Sequence, residues 1–462
     1  MKESKHIHFV GIGGYGMSSL ARVLMDMGHS VSGSDIKASS RTGDLAAAGA
    51  RVYIGHDASH VSEADLVVIS VAVPEDNVEV RAAKARGVPV ITRAQMLGRL
   101  MDEHYSIAIT GSHGKTTTTS MIAFMLQRAG LDPTVLVGGE LSYLGGGGRL
   151  GRGRYLVAEA DEAYGSFLEL RPTIAVVTNI DNDHLDYYGN VQNLVDAFRR
   201  FLLNADPRGA AVLCADDERI ERIAGEVASR IRVVTYGIRK EAMFMAREIS
   251  ITGLGSTFQV VKDGKVTGRV ELKVPGRHNI YNALACCSVG MEIGLGFDII
   301  SEALALFKGA KRRCQFIGEK QGILVLDDYA HHPTEIKATL EALKEGSGGR
   351  RLVVVFQPQR FTRTQLLMDE FARAFSAADV IVINDIYHEG TGEKPIPGVT
   401  GEALARAISE FEGREVIFVP QRRDIAPRLL KITKSGDLVV TMGAGDIWLA
   451  AREFVDLLEE CK

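Results

Sequence analysis

Short apolar runs alternate with amphipathic stretches along nearly the whole chain, the pattern of strands buried on both faces between covering helices. Up to residue 93 it predicts strands over 7–13, 30–34, 51–55, 66–73 and 89–93, and helices over 18–28 and 77–86. A polar break, Met101-Asp102-Glu103-His104, precedes a second series. This begins with the apolar run Ile107, Ala108, Ile109, then a glycine-flanked turn and a helix, followed by strands over 134–137, 155–158, 174–178 and 210–214. Residues 244–274 change to strand-like alternation around Asp263-Gly264, a hairpin signal, and a long apolar helix starts after Pro275. Beyond Lys311-Arg312-Arg313 the alternation restarts, with strands over 323–326, 352–356, 380–384, 416–419 and 438–441. Helices separate them, such as 333–345, with Ile336, Leu340 and Leu343 on one side. The glycine run 144–153 reads as a flexible surface loop.

Composition narrows the class. With 462 residues, 46% hydrophobic and 24% charged, the chain has material for several cores. A net charge of −4 with mixed signs offers no basic field for nucleic acid, so small molecules are the expected partners. No apolar run reaches the length of a membrane span, which leaves no expected membrane partner and the cytoplasm as the expected location. Cys214, Cys286, Cys287, Cys314 and Cys461 show no CxxC spacing and read as core thiols in a reducing compartment. A monomer or weak homodimer is expected.

The chemistry-bearing residues stand at predicted strand ends. Gly11-Ile12-Gly13-Gly14-Tyr15-Gly16 between a strand and a helix is a diphosphate-cradling turn, with Asp35 at the next strand's end where a dinucleotide fold places its ribose-binding acid. Taken alone, this points to a nicotinamide-dependent oxidoreductase. Gly111-Ser112-His113-Gly114-Lys115-Thr116-Thr117 is a second, shorter phosphate loop. Its backbone N–H groups and helix start converge on an anion, Lys115 reaches a terminal phosphate and the Thr116 hydroxyl holds Mg²⁺. Two acidic clusters follow strands, Glu159-Ala160-Asp161-Glu162 and Thr178 to Asp186, the latter with Asn179, Asp181, Asp183 and His184. Beside the phosphate loop, Glu159 and His184 would complete a site for Mg²⁺ and nucleotide phosphates. Asn279 and Asn282 lie near a helix start as caps or adenine contacts. Arg360 and Arg363, three apart after a strand, form a carboxylate clamp. The fold class is therefore α/β with three domains. Residues 1–103 form a Rossmann-like domain, 104–311 a central P-loop-type ATPase domain with a mainly parallel sheet, and 312–462 a C-terminal Rossmann-like domain.

Taken in order, GIGGYGMSSLA, GSHGKTTTT, EADE, TNIDNDHLD, PGRHNIYNALA, DDYAHHPTE, QPQRFTR and KPIPG resemble the motifs of the Mur ligases, across nearly the whole chain. The resemblance is to the branch that adds alanine. It implies ATP-dependent joining of L-alanine to the lactyl carboxylate of UDP-N-acetylmuramate through an acyl phosphate, a step of peptidoglycan and cell-wall synthesis. It places Thr116, Glu159 and His184 on Mg²⁺, with Lys115, Glu159 and His184 catalytic. Asn282, Arg312 and Asp327 join 111–117 on ATP. Gly13, Gly14, Ser34 and Asp35 take the uridine diphosphate, and Tyr329, His331, Arg360 and Arg363 the amino acid. The nearest alternative within the family is the recycling ligase that attaches a preformed peptide to the same sugar nucleotide. No lysine occurs between Lys115 and Lys240, so the carbamylated lysine of sibling ligases has no residue here, in keeping with the alanine-adding branch. Two stretches depart from the family pattern: Ala163-Tyr164 replaces Ser-Asp, and 385–393 is longer by about two residues.

Overall fold

The computed structural model describes residues 4–141, 146–389 and 392–460. Leu144, Gly145, Gly390, Thr391 and Cys461 lie outside this set, as does the side chain of Asp186. Three sheets carry the fold. The first joins β1 (His6–Val10), β2 (Ser30–Asp35), β3 (Arg51–Ile54), β4 (Leu66–Ile69) and β5 (Val90–Thr92) in the order β3-β2-β1-β4-β5, every pairing parallel. Side chains on both faces of β1 are buried, Ile7 and Phe9 on one and the polar His8 with Val10 on the other. The order reverses between β1 and β4, so the turn that follows β1 opens at the switch point.

The second sheet contains β6 (Tyr105–Thr110), β7 (Thr134–Leu141), β8 (Gly146–Arg149), β9 (Tyr155–Glu159), β10 (Ile174–Val177), β11 (Ala210–Cys214), β12 (Arg232–Gly237), β13 (Phe244–Thr252), β14 (Gly255–Lys262) and β15 (Lys265–Leu272). Their order is β15-β14-β13-β12-β11-β10-β6-β9-β7-β8. From β12 to β7 the pairings are parallel, and β8 is antiparallel to β7. β6 lies between β9 and β10, strands reached by crossovers to opposite sides, so the loop after β6 is also at a switch point. Asp263 and Gly264 both have positive φ in the turn from β14 to β15, as the Asp-Gly signal requires. The third sheet contains β16 (Gln315–Lys320), β17 (Ile323–Asp328), β18 (Leu352–Phe356), β19 (Val380–Asn384), β20 (Ile417–Val419) and β21 (Leu438–Met442), ordered β16-β17-β21-β18-β19-β20. Only β16 pairs antiparallel in this sheet.

The expectation of a flexible loop over 144–153 is overturned for residues 146–149, while 150–153 has no regular secondary structure. Gly146–Arg149 is strand β8, packed with β7 on the helix Tyr15–Asp26. A Cβ at Gly148 would sit 2.3 Å from the Ser19 carbonyl oxygen, so the missing side chain serves close packing rather than mobility. The polar break at 101–104 contains the last turn of a helix, Arg93–Asp102, capped by a reciprocal Thr92–Gln95 pair. Cys214, Cys286 and Cys287 are buried free thiols, as expected, and Cys314 is also free. Among the described residues no helix is long and apolar enough to cross a membrane.

By contacts the chain divides into two compact units. One comprises 1–247, 259–269 and 281–304, and the other 248–258, 270–280 and 305–462. The first holds both the turn after β1 and the loop after β6. In the second, Leu326, Leu340, Val354, Phe356, Phe371 and Phe375 belong to a core on one face of the third sheet.

Candidate functional site

The loop after β6 is held open by the end of β10. Gly111 has φ +131°, and a Cβ there would lie 2.1 Å from Thr178 Oγ1, so only glycine fits. Asn179 accepts from the Ser112 N–H through its backbone carbonyl (3.0 Å) and from the His113 N–H through Oδ1 (2.9 Å). The Thr178 hydroxyl and the Asn179 amide both donate to the His113 carbonyl, at 2.6 and 3.0 Å. His113 Nε2 meets Asp181 Oδ2 at 2.9 Å. Gly114, with φ +80°, caps the helix Lys115–Arg128, and Asn282 lies against it, accepting from Thr118 Oγ1 at 3.1 Å. The sequence expectation that 111–117 and Asn282 share one place matches this geometry. Asn279 instead donates to the Pro275 carbonyl at 2.7 Å, a local helix-start bond.

Lys115 curls back over its own loop. Its ammonium donates to the carbonyls of Gly111 (2.6 Å) and Ser112 (3.2 Å) and to Glu162 Oε1 (2.8 Å). Burial works against the charge, but Glu162, Asp161 and Glu159 outweigh it and hold the ammonium protonated above its ordinary range. Burial pushes the Glu162 carboxyl up, against the pull of Lys115. Its Oε2 is buried without a hydrogen-bond partner among the described residues, an orphan acceptor beside the phosphate loop. The sequence reading placed Glu162 in an acidic cluster but gave it no role of its own.

Two groupings suit a hard cation. Thr116 Oγ1 donates to Glu159 Oε2 at 3.0 Å, a hydroxyl and a carboxylate of the type magnesium takes. Asp161, Glu162 and His184 bring one ligand atom each to within 4.8 Å of one another. The structure thus brings Thr116 and Glu159 together as expected, while His184 falls in with Asp161 and Glu162.

At the first switch point Asp35 Oδ2 accepts from the Gly13 N–H at 2.8 Å, tying the glycine turn to the end of β2. Gly13, Gly14 and Asp35 therefore stand together. Arg41 stacks on Tyr15 at 3.9 Å and donates to the Gly13 carbonyl at 2.6 Å. The Ser34 side chain is fully buried and points elsewhere, donating to Glu79 Oε2 at 2.5 Å; its carbonyl accepts from Gly11 and Ile12. Glu79 is itself fully buried and also accepts from His56 Nδ1 (2.9 Å) and His60 Nδ1 (2.6 Å), with His8 Nε2 at 3.7 Å.

In the second unit the expected residues cluster at the carboxyl ends of the third sheet. Arg312 donates from Nε to Asp327 Oδ2 (2.9 Å) and from its Nη atoms to the carbonyls of Gly443 and Gly445. Tyr329 lies under the guanidinium of Arg312 at 5.1 Å and against the His331 ring at 5.2 Å. Asp327 itself is buried and accepts from Thr441 Oγ1 at 2.7 Å. Arg360 precedes the short helix Phe361–Leu366, within which Arg363 lies. Arg360 Nε donates to Glu393 Oε1 at 2.7 Å. No local pattern marks Glu393 or Glu79, because each meets its partners only once the chain is folded: Glu79, on the helix Val78–Ala85, reaches Ser34, His56 and His60, and Glu393 reaches Arg360.

Comparison with known proteins places this architecture. The model described as Mur ligase family, catalytic domain, matches residues 6–105. The Mur ligase middle domain matches 109–290, and the Mur ligase, glutamate ligase domain, 312–445. The chain is 48% identical over 462 residues to the UDP-N-acetylmuramate–L-alanine ligase of Pelotomaculum thermopropionicum, covering 100% of this chain and 99% of that one. It is 49% identical over 457 residues to the protein of the same name from Geobacter sulfurreducens, covering 99% and 98% of the two chains. Among solved structures it is similar to the UDP-N-acetylmuramate–alanine ligase of Thermotoga maritima, with 32% identity, a TM-score of 0.84 and coverage of 99% of this chain and 100% of that one. It is also similar to a murein peptide ligase of Psychrobacter arcticus, with 26% identity, a TM-score of 0.70 and coverage of 98% and 99%. With three successive domain matches and near-half identity over its full length, the chain belongs to the Mur ligase family.

Proposed function

We propose that this chain joins L-alanine to the lactyl carboxylate of UDP-N-acetylmuramate, cleaving ATP to ADP and phosphate. The carboxylate attacks the γ-phosphorus to give an acyl phosphate, the amine of alanine adds to its carbonyl carbon, and the tetrahedral intermediate expels phosphate. The observation that carries the reading is the loop after β6, where a helix start and the Lys115 ammonium stand beside Glu162, with Thr116 on Glu159. Lys115 leaves its loop carbonyls for the γ-phosphate and offsets charge in transfer, where positioning and electrostatics supply most of the catalysis. Thr116, Glu159 and His184, with Asp161 and Glu162, would hold Mg²⁺, which supplies charge neutralisation on the phosphates when bound.

The remaining assignments follow the same reading. Gly111 to Thr117, Asn282, Arg312 and Asp327 contact ATP. Gly13, Gly14 and Asp35 hold the uridine diphosphate, and Ser34 contributes through the backbone that fixes the turn rather than through its hydroxyl. Tyr329, His331, Arg360 and Arg363 receive alanine, whose carboxylate suits a guanidinium fork. The domain limits 1–103, 104–311 and 312–462, a cytoplasmic location and a monomer or weak homodimer belong to this proposal. The test is ADP release with UDP-N-acetylmuramate and, in turn, L-alanine, glycine, L-serine and a tripeptide. Release that requires the sugar nucleotide and is fastest with L-alanine is expected. Fastest release with the tripeptide would move the chain to the peptide-recycling branch, and release without the sugar nucleotide would overturn the reading.

A further inference from the structure

We propose that Glu393 is a positioning residue for the amino-acid substrate, holding the Arg360 guanidinium in the plane from which it takes the substrate carboxylate. The inference rests on the assignment of Arg360 to the amino-acid pocket. Arg360 stands at a sharp corner: its φ is +69°, and it joins the end of β18 to the helix Phe361–Leu366. That corner is braced by the loop that carries Glu393. The Arg360 N–H donates to the Tyr387 carbonyl at 3.1 Å, the Tyr387 N–H donates to the Pro358 carbonyl at 2.8 Å, and Gln359 and Tyr387 form a β-bridge. Ile396, on the other side of Glu393, packs with Phe361, Ile386 and Val399.

Between these anchors the Glu393 carboxylate gathers three donors. Oε1 accepts from Arg360 Nε at 2.7 Å and from Thr362 Oγ1 at 2.6 Å, and Oε2 accepts from the Thr362 N–H at 3.3 Å. Burial alone would raise its carboxyl, but the bonds from Thr362 and Arg360 hold it below the ordinary carboxylate range, so it is charged at neutral pH. An arginine side chain is long and flexible, and a carboxylate tied to Nε fixes the plane of the guanidinium before any substrate arrives. Tying Nε fixes the direction in which the Nη1–Nη2 edge of the fork points, the edge used in end-on bidentate recognition of a carboxylate. The pairing therefore pre-sets the direction from which a substrate carboxylate is received, and Thr362 keeps Glu393 from turning away. A simple stabilising ion pair would have no reason to act on one substrate, which gives the idea a selective signature.

The test is steady-state kinetics of the full-length enzyme with each substrate varied in turn. Glu393→Ala is expected to raise KM for L-alanine at least tenfold while leaving KM for ATP and for UDP-N-acetylmuramate within about twofold. Glu393→Gln, which still accepts from Arg360 and Thr362, is expected to stay within about threefold of the wild type for alanine. In an Arg360→Ala background, Glu393→Ala is expected to add less than about twofold. Equal changes in all three KM values, an unchanged KM for alanine, or a full-sized effect in the Arg360→Ala background would overturn the proposal. An Arg360→Ala variant with normal KM for alanine would overturn the pocket assignment and the proposal with it, whereas a raised KM in Arg360→Ala and none in Glu393→Ala would sink the role of Glu393 alone.

Discussion

Glu79 carries no exposed surface and yet keeps its charge. Burial would raise its carboxyl, but the neighbouring His8 imidazole and the hydrogen bonds from Ser34, His60 and His56 more than offset this and bring it from the ordinary 4.5 to about 2. A folded-state value below the unfolded one means that the ionised group stabilises the fold above pH 4.5, and that this stabilisation is lost as pH falls towards 2. The shift corresponds to roughly 3 kcal/mol. Glu79→Gln, which mimics the protonated acid, is expected to lower the unfolding free energy at pH 7 by about 2–3 kcal/mol. Denaturant titrations at several pH values check this: the gap between variant and wild type should close between pH 4.5 and 2, and a gap independent of pH would count against the network. Nothing in the sequence marks this group. His8, His56 and His60 lie on different elements, and a glutamate in a helix reads as a solvent-facing residue until the fold closes over it.

At the scale of elements, legibility follows side-chain chemistry. β6, β10, β11 and β18 are buried on both faces and spell apolar runs, so their places were predicted to within a residue or two. β8 has three glycines and one arginine, and carries no hydrophobic period at all. It is a strand because bare backbone pairs with β7 and lies flat on the helix Tyr15–Asp26. Gly148→Ala is therefore expected to destabilise by about 1–3 kcal/mol, since its Cβ would press on the Ser19 backbone. Gly146→Ala, with nothing among the described residues within 4 Å of the new methyl, is the control and should stay within about 0.5 kcal/mol. Thermal melts of the two variants decide the matter: equal effects would mean that β8 does not rest on Ser19.

On the scale of the whole molecule, the glycine turn after β1 and the phosphate loop after β6 belong to one compact unit, although the sequence separates them with a polar break. The helix Tyr15–Asp26 links them, because it covers its own sheet and also carries β7 and β8. Under the proposed function this unit binds the sugar nucleotide. UDP-N-acetylmuramate at a hundred times its Kd is expected to stabilise it by about 2.7 kcal/mol. Calorimetry should show an upward shift in its melting transition, and Asp35→Ala, which frees the Gly13 turn, should diminish that shift at the same ligand concentration. A shift of undiminished size in Asp35→Ala would remove Asp35 from the diphosphate site.

By itself the sequence determined the α/β class, the strands buried on both faces and the two phosphate-type turns. Those features are local: they depend on hydrophobic period, on glycines at turns and on which residues follow a strand. Only the tertiary structure decided that Lys115 meets Glu162, that Thr178 and Asn179 hold the loop open, that Ser34 faces Glu79 and that Arg360 is tied to Glu393. The physical reason is strand order. Parallel strands far apart in the chain become neighbours through crossovers, and the groups at their carboxyl ends meet at distances that no spacing along the chain encodes.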